Sequence, residues 1–311
     1  MKRVGLRVIS LCVAFVLTTM LTLEVRPDWF MQAHENWLRG LAGFEEKHME
    51  VSEHHIRYLE GGAGETILLI HGFGGDKDHW TRLARHLTDD YRVIAIDLPG
   101  FGESSRHDQL SYDILSQVDR VYHIYQRLDL STVHLVGNSR GGQIATHFAA
   151  LYPELVKTLT IVNARGVSAP VPSDLDQILE TGRHPLMVKD VDEFGKVLDW
   201  LFVDKPYVPA AILTHLAELS IEKQRFQEKV FSDQQVRPAP LEDVLAKIRT
   251  PTLIVWGDGD RIIDPSTAEV FRRGIAGSRL VMLHACGHLP QLEQPEKLAD
   301  LMLNHLGLTQ P

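Results

Sequence analysis

At 311 residues, 44% of them hydrophobic and 23% charged, the chain is too apolar to be disordered. It is long enough for one large domain with a deep core plus an insertion or a small second domain. A formal net charge of −9 argues against binding to a nucleic-acid backbone, which needs a basic surface, and two cysteines, Cys12 and Cys286, make no disulfide framework and leave the compartment open.

Lys2, Arg3 and Arg7 precede an almost wholly apolar run from Val8 to Val25, broken by Ser10, Thr18, Thr19, Thr22 and Glu24. A membrane helix needs roughly 17–25 apolar residues, and counted from Val4 the run reaches that length. No A-x-A-like cleavage site follows it. The pattern predicts a single N-terminal membrane anchor over residues 1–27, with a cleaved signal segment and a secreted protein as the alternative. The basic residues ahead of the run would keep the N-terminus cytoplasmic and the rest of the chain outside, in the periplasm if the source is a bacterium. Residues 28–47 read as an amphipathic linker helix, with Trp29, Ala33, Trp37, Leu41 and Phe44 near helical spacing. Trp29, Phe30 and Trp37 suit a membrane interface or packing of the linker onto the domain.

Met49 to Leu59 alternates weakly and predicts a hairpin or two edge strands. Thr66 to Ile70 is a continuous apolar strand that runs into His71-Gly-Phe-Gly-Gly75. A helix is expected from near Lys77, then a buried strand, Tyr91 to Ile96, ending in Asp97-Leu-Pro-Gly-Phe-Gly102. Tyr112 to Leu128 reads as a helix, Val133 to Val136 as a strand, Gln143 to Leu151 as a helix and Leu159 to Val162 as a strand. Buried strands alternating with helices predict an α/β fold with a mostly parallel sheet covered on both faces. The rhythm breaks after Val162. Residues 168–247 hold helix-like segments and no strand, bounded by Pro170 and Pro172 on one side and Pro238 and Pro240 on the other. This predicts a helical cap inserted between strands, over the carboxyl ends of the sheet. The α/β domain is then 48–167 and 248–311, resuming with Thr252-Leu-Ile-Val-Trp256 and Arg279 to Leu283.

The chemistry centres on His134-Leu-Val-Gly-Asn-Ser-Arg-Gly-Gly142, a G-x-S-x-G pattern between a strand and a helix. There a sharp turn lifts the Ser139 hydroxyl above the sheet edge. A serine is a weak nucleophile without a base, and the base needs an acid to fix its tautomer. In the chain order of this architecture the acid and then the histidine follow the serine. Asp258, Asp260 and Asp264 follow strand 252–256, and Asp260 is favoured because it lies further along the turn. His284 and His288 follow the last strand, and His288, in a loop after Gly287, is favoured. Backbone N–H groups of Arg140 and Phe73 are the expected oxyanion donors. Gly72 and Gly74 would let the Phe73 loop approach closely, and His71 would brace it. A serine rather than an aspartate nucleophile points to acyl transfer to water. There is no metal motif, no cofactor is expected, and the Gly-rich turn 97–102 lacks dinucleotide order.

Across residues from about 50 to 308 the chain resembles the α/β-hydrolase superfamily. The resemblance rests on residues 71–80, 97–102 and 137–142, Trp256-Gly-Asp-Gly-Asp260 with Pro265, and Cys286-Gly-His288. Within it the chain is similar to membrane-anchored monoacylglycerol lipases and related bacterial lipases or esterases. The resemblance implies a triad of Ser139, Asp260 and His288, with Phe73 and Arg140 in the oxyanion hole. It implies an ester or lipid substrate, contact with a membrane through the N-terminal segment, and no obligate protein partner. Asn138 also occurs in relatives that cleave carbon–carbon bonds in ring-fission products, the alternative chemistry. Leu198, Trp200, Leu201, Phe202, Ile212 and Leu216 are the expected acyl-pocket or cap-core residues. Arg140 stands where such proteins usually have an apolar residue. Its side chain needs an acidic partner. A structural ion pair, for example with Asp97, is expected, with an acidic substrate group as the alternative.

Overall fold

A strand with no polar face can only lie inside a sheet that is covered on both sides. Thr66–Ile70 and Val133–Asn138 are buried at every position, and they pair in parallel at the centre of the molecule. The computed structural model describes residues 24–307. Its strands are β1 (Glu45–Val51), β2 (His54–Gly61), β3 (Thr66–Ile70), β4 (Arg92–Ile96), β5 (Val133–Asn138), β6 (Val156–Val162), β7 (Thr252–Gly257) and β8 (Arg279–Leu283). They form one eight-stranded sheet in the order β1-β2-β4-β3-β5-β6-β7-β8. β1–β2 and β2–β4 are antiparallel, and every later pairing is parallel.

The helices are α1 (Pro27–Leu41), α2 (Thr81–Ala84), α3 (Ile114–Arg127), α4 (Arg140–Leu151), α5 (Asp174–Leu179), α6 (Val191–Leu201), α7 (Ala210–Val236), α8 (Glu242–Leu245), α9 (Ser266–Gly274), α10 (Pro290–Glu293) and α11 (Pro295–Gly307). Successive residues of a strand point to opposite faces, so each parallel strand feeds two apolar layers. Leu68 and Ile70 pack with Leu135, Ile161 and Trp256 against α3, α4 and α9. Ile67 and Leu69 pack with Val136, Val162 and Val255 against Trp80, Leu83 and α11. Each such side chain, fully buried, contributes about 1.5–3 kcal/mol. The result is the expected α/β class, a mostly parallel sheet between helices with helices inserted between strands.

The inserted segment between β6 and β7 carries α5, α6, α7 and α8 and no strand. The longest of these, the 27-residue α7, is tied down where Asp233 Oδ2 accepts from Tyr112 N at 2.9 Å and Lys229 Nζ donates to Leu110 O at 2.7 Å. It thereby lies over the loop that follows β4.

The N-terminal expectations need correcting. The helix expected over 28–47 occupies Pro27–Leu41. The chain reverses at Gly43, where φ is +63°, and Glu45 already begins β1. Residues 1–23, which carry most of the apolar run, lie outside the described residues. Among the described residues no helix is long and apolar enough to cross a membrane. At 1.5 Å per residue the 15-residue α1 falls short of a hydrocarbon core of about 30 Å, and it is charged along its length. Arg39 binds Asp78 through two nitrogens, both at 2.6 Å, which fixes the end of α1 to the domain. The transmembrane anchor, the membrane contact through it and the extracytoplasmic placement derived from it are therefore withdrawn.

Candidate active site

Between β5 and α4 the chain turns on a single residue. Ser139 has φ +56° and ψ −120°, a left-handed backbone that L-residues adopt only when their surroundings enforce it. The enforcement is visible. Ser139 N donates to Val162 O at 3.0 Å, and Ser139 O accepts from Gln143 N at 3.2 Å and Arg165 N at 3.1 Å. The turn also needs the neighbouring glycines. A Cβ on Gly137 would lie 2.2 Å from Gly141 O, and one on Gly141 would lie 2.2 Å from Ile70 O and 2.4 Å from His71 O. These are backbone atoms with nowhere to go. Gly141→Ala is therefore expected to lower stability by about 3 kcal/mol or more, read as a drop in the urea unfolding midpoint. An unchanged midpoint would contradict the close approach.

The acid and histidine candidates separate cleanly in space. His288 Nδ1 lies 2.8 Å from Asp260 Oδ2, and both residues are buried. Asp260 Oδ2 also accepts from Asn163 Nδ2 at 2.7 Å, and its Oδ1 accepts from Ile262 N at 2.8 Å and Ile263 N at 3.0 Å. A carboxylate accepts only, so His288 Nδ1 carries the proton of the shared bond and Nε2 is left as the acceptor. His284 and Asp258 pair with each other instead, at 2.7 Å, on the surface. Asp264 Oδ1 accepts from Ser266 N, at the start of α9, at 2.9 Å.

Asn138 Nδ2 donates to His288 O at 3.1 Å, which holds the histidine loop against the residue before Ser139. Among the described residues no hydrogen bond joins the Ser139 hydroxyl to the His288 ring. The direct bond expected from the sequence is thus not closed in this conformation, and such bonds often tighten only when substrate is bound.

The loop after β3 comes up against the serine from the other side. A Cβ on Gly72 would lie 2.8 Å from Ser139 Cβ, so only glycine fits. Gly74 has φ +73°. His71 Nε2 accepts from Leu98 N at 3.0 Å, so its Nδ1 carries the hydrogen and donates to Gly72 O at 2.7 Å. Burial lowers its pKa to about 4, which keeps the ring neutral and both bonds intact. Among the described residues the backbone N–H groups of Phe73 and Arg140 meet no acceptor.

Several residues that the sequence reading passed over hold this arrangement. Asn163, at φ +45°, reaches from the end of β6 to Asp260. Gln291 Nε2 donates to Asn138 Oδ1 at 3.2 Å. Glu293 accepts from Gly287 N at 2.9 Å and from Val203 N and Asp204 N at 3.1 and 2.9 Å, joining the histidine loop to the segment after α6. Asp97 binds Lys77 N at 2.7 Å, Lys77 Nζ at 3.2 Å and Glu103 N at 2.8 Å. Asp97 is thus not the partner expected for Arg140, and among the described residues Arg140 makes no other ion pair in its place. The thiol of buried Cys286 is pushed up to about 12, chiefly by burial and then by Glu293. It is expected to resist iodoacetamide at pH 8 in the native protein and to react once unfolded, as peptide mass spectrometry would read.

A cavity of about 800 Å³ opens within the inserted helices, lined among others by Leu179, His184, Met187, Trp200 and Phe231. Phe231 links it to the serine site, its ring centroid 6.4 Å from that of Phe73. Of the six expected pocket residues, Trp200 lines this cavity and Ile212 is buried.

Residues 67–301 match the model of the alpha/beta hydrolase family. The chain belongs to this family. It is 38% identical over 251 residues to Lipase 1 of Psychrobacter immobilis, covering 78% of each chain. It is 30% identical over 287 residues to the monoacylglycerol lipase ABHD6 of Homo sapiens, covering 87% of this chain and 84% of that one. It superimposes on the crystal structure of a membrane phospholipase A, described as a bacterial virulence factor, with a TM-score of 0.89 at 40% identity over 99% of both chains. This member of the family is a serine hydrolase of the lipase/esterase type.

Proposed function

We propose that the chain hydrolyses carboxylic esters of acylated glycerols, monoacylglycerol-type esters included, through an acyl-enzyme on Ser139. The observation that carries this reading is the buried 2.8 Å bond between His288 and Asp260, beside a serine held at the apex of a glycine-lined turn. His288 Nε2 takes the Ser139 proton as the hydroxyl oxygen attacks the ester carbonyl. Phe73 N–H and Arg140 N–H receive the charge that develops on the carbonyl oxygen. The alcohol leaves with the proton from His288, and a water deprotonated by His288 then releases the acid. Asp260 keeps the imidazole in the accepting tautomer and stabilises the imidazolium. His71, Gly72 and Gly74 hold the Phe73 loop at the distance this requires. Residues 168–247 act as the cap that excludes water from the site.

The names of the relatives, lipase, monoacylglycerol lipase and phospholipase A, support an ester-linked acyl chain as the bond that is cut. Carbon–carbon hydrolysis finds less support. The Asn138 amide already donates both its hydrogens, to Val162 O and His288 O at 3.1 Å each, and its oxygen accepts from Gln291, so it has no N–H left to offer a substrate. A panel of p-nitrophenyl esters and monoacylglycerols of rising chain length, with a dienone acid as control, tests the proposal. Turnover of the esters and none of the dienone acid is expected. The reverse pattern would reassign the chemistry.

A further inference from the structure

The end of α6 lies against the loop that carries His288, backbone to backbone. His288 N donates to Leu201 O at 2.8 Å. A Cβ on Gly287 would lie 2.4 Å from Leu201 O and 3.0 Å from Phe202 Cα, so only glycine lets the two segments come this near. The same segment touches the turn that holds Asp260. A Cβ on Gly259 would lie 2.3 Å from Val203 Cγ2 and 3.2 Å from Cys286 O, and Arg261 Nη1 donates to Asp199 O at 3.4 Å.

One side chain clasps this contact. Glu293 Oε2 accepts from Gly287 N at 2.9 Å, and its Oε1 accepts from Val203 N at 3.1 Å and Asp204 N at 2.9 Å. Each carboxylate oxygen thus serves one segment, with bonds that the charge strengthens. Among the described residues no other side chain is hydrogen-bonded to both segments. On its other side α6 borders the cavity, where Glu193, Lys196, Val197 and Trp200 form part of the wall. Trp200 directly precedes Leu201, so a wall residue and the acceptor for His288 N are neighbours in the chain. Phe231, also on the wall, reaches Phe73 in the oxyanion loop.

We infer that Glu293 is a positioning residue through which the cap, filled by the acyl chain, sets the place of His288. An acyl chain on Ser139 runs past Phe73 and Phe231 into the cavity and packs on Trp200. α6 is thereby held, Glu293 carries its position to Gly287, and Leu201 O fixes His288 N. The imidazole then stands where Nε2 reaches the Ser139 hydroxyl, the bond that is not closed in this conformation. A misplacement of about 1 Å costs on the order of a hundredfold in rate, so a clasp on the histidine loop acts on kcat. The inference rests on the reading of His288 as the general base and deepens it. Binding energy from the far end of the chain is turned into alignment of the base, and short esters lose kcat because they forgo it. Glu293 itself touches neither substrate nor reacting atoms.

The test compares the wild type with E293Q and E293D on p-nitrophenyl acetate and p-nitrophenyl octanoate. Glutamine keeps the size of the side chain but has one acceptor oxygen, so it serves one segment and turns an N–H toward the other. Aspartate is too short to span both. In the wild type kcat is expected to be about tenfold higher on the octanoate than on the acetate. In both variants that ratio should fall to about twofold or less, while the ratio of the two KM values stays within about twofold of wild type, because the cavity wall is unchanged. A merely structural contact would lower kcat on both esters by one factor. A kcat ratio within about twofold of wild type in a folded E293Q therefore overturns the inference, as does equal kcat on the two esters in the wild type. Hydrogen exchange reads the clasp without turnover: the amides of residues 201–204 and 286–288 should exchange about tenfold faster in E293Q. Unchanged exchange in both segments overturns the inference, and so does failure of both variants to fold, which would mean that the carboxylate serves stability. H288A separates this from the reading beneath it. Near wild-type kcat in H288A removes His288 as the base, whereas an inactive H288A with an unmoved E293Q ratio removes this inference alone.

Discussion

Ser139→Ala is expected to lower kcat for ester hydrolysis by about 10⁴- to 10⁶-fold and to abolish labelling by a fluorophosphonate. The loss is chemical, because the side chain does little else. Among the described residues the hydroxyl makes no hydrogen bond, and the backbone bonds at Ser139 N and O remain in the variant. Alanine meets the strained φ of +56° much as serine does, so stability should stay within about 0.5 kcal/mol. Turnover and the unfolding midpoint of the same preparation separate the two effects. More than about one part in a hundred of wild-type kcat, in a folded variant, would move the nucleophile elsewhere.

Much of this arrangement could be read from the chain before any coordinates, and the reason is local. All-apolar runs such as Thr66–Ile70 have one place to go, and a serine flanked by Gly137, Gly141 and Gly142 marks a crowded turn. Position in their loops favours His288 and Asp260, and it is that pair that meets. What stayed hidden depends on distance along the chain. Asn163 and Asp260 are 97 residues apart and Asn138 and Gln291 are 153 apart, so no spacing rule could join them. Asp97 looked free for Arg140 because nothing in its turn announces that Lys77, 20 residues earlier, folds back onto it. The helix after the apolar run ends at Leu41, short of the Lys47 that its pattern predicts, for a related reason. Its periodic residues continue to Phe44, but Gly43 takes a positive φ and diverts Phe44 into the core. The span expected over residues 1–27 falls almost wholly outside the described residues, and α1, which follows it, is too short and too charged to cross a membrane.

Fixed polar contacts and free ones divide along a line that matters for chemistry. His71, Asn138, Asp260 and Glu293 have their polar atoms committed to backbone or side-chain partners, and they make the frame rigid. The Ser139 hydroxyl, His288 Nε2 and the N–H groups of Phe73 and Arg140 are left without protein partners among the described residues. Uncommitted polar groups of this kind, next to a strained serine in an otherwise fixed frame, are what a site looks like when its remaining partner is the substrate.

Asp260→Asn should be the second severe lesion, with a loss of about 10⁴-fold in kcat. Four donors converge on this one carboxylate: His288 Nδ1 and Asn163 Nδ2 on Oδ2, and Ile262 N and Ile263 N on Oδ1. An asparagine has one acceptor oxygen. The two turn amides cannot rotate, so that oxygen takes the Oδ1 place and the new NH₂ faces His288. It then donates to Nδ1, which moves the imidazole proton to Nε2, the atom that must accept from Ser139. The new NH₂ also opposes the Asn163 amide, so a stability loss of about 1–3 kcal/mol accompanies the kinetic one. Asp258→Asn and Asp264→Asn supply the comparison. Asp258 binds the exposed His284 and Asp264 accepts from Ser266 N at the start of α9, and both variants should keep kcat within about threefold of wild type, as changes remote from the chemistry do. Steady-state kcat for the three on one p-nitrophenyl ester decides between them. A deep loss in D258N or D264N with D260N little affected would move the acid to another position on the loop.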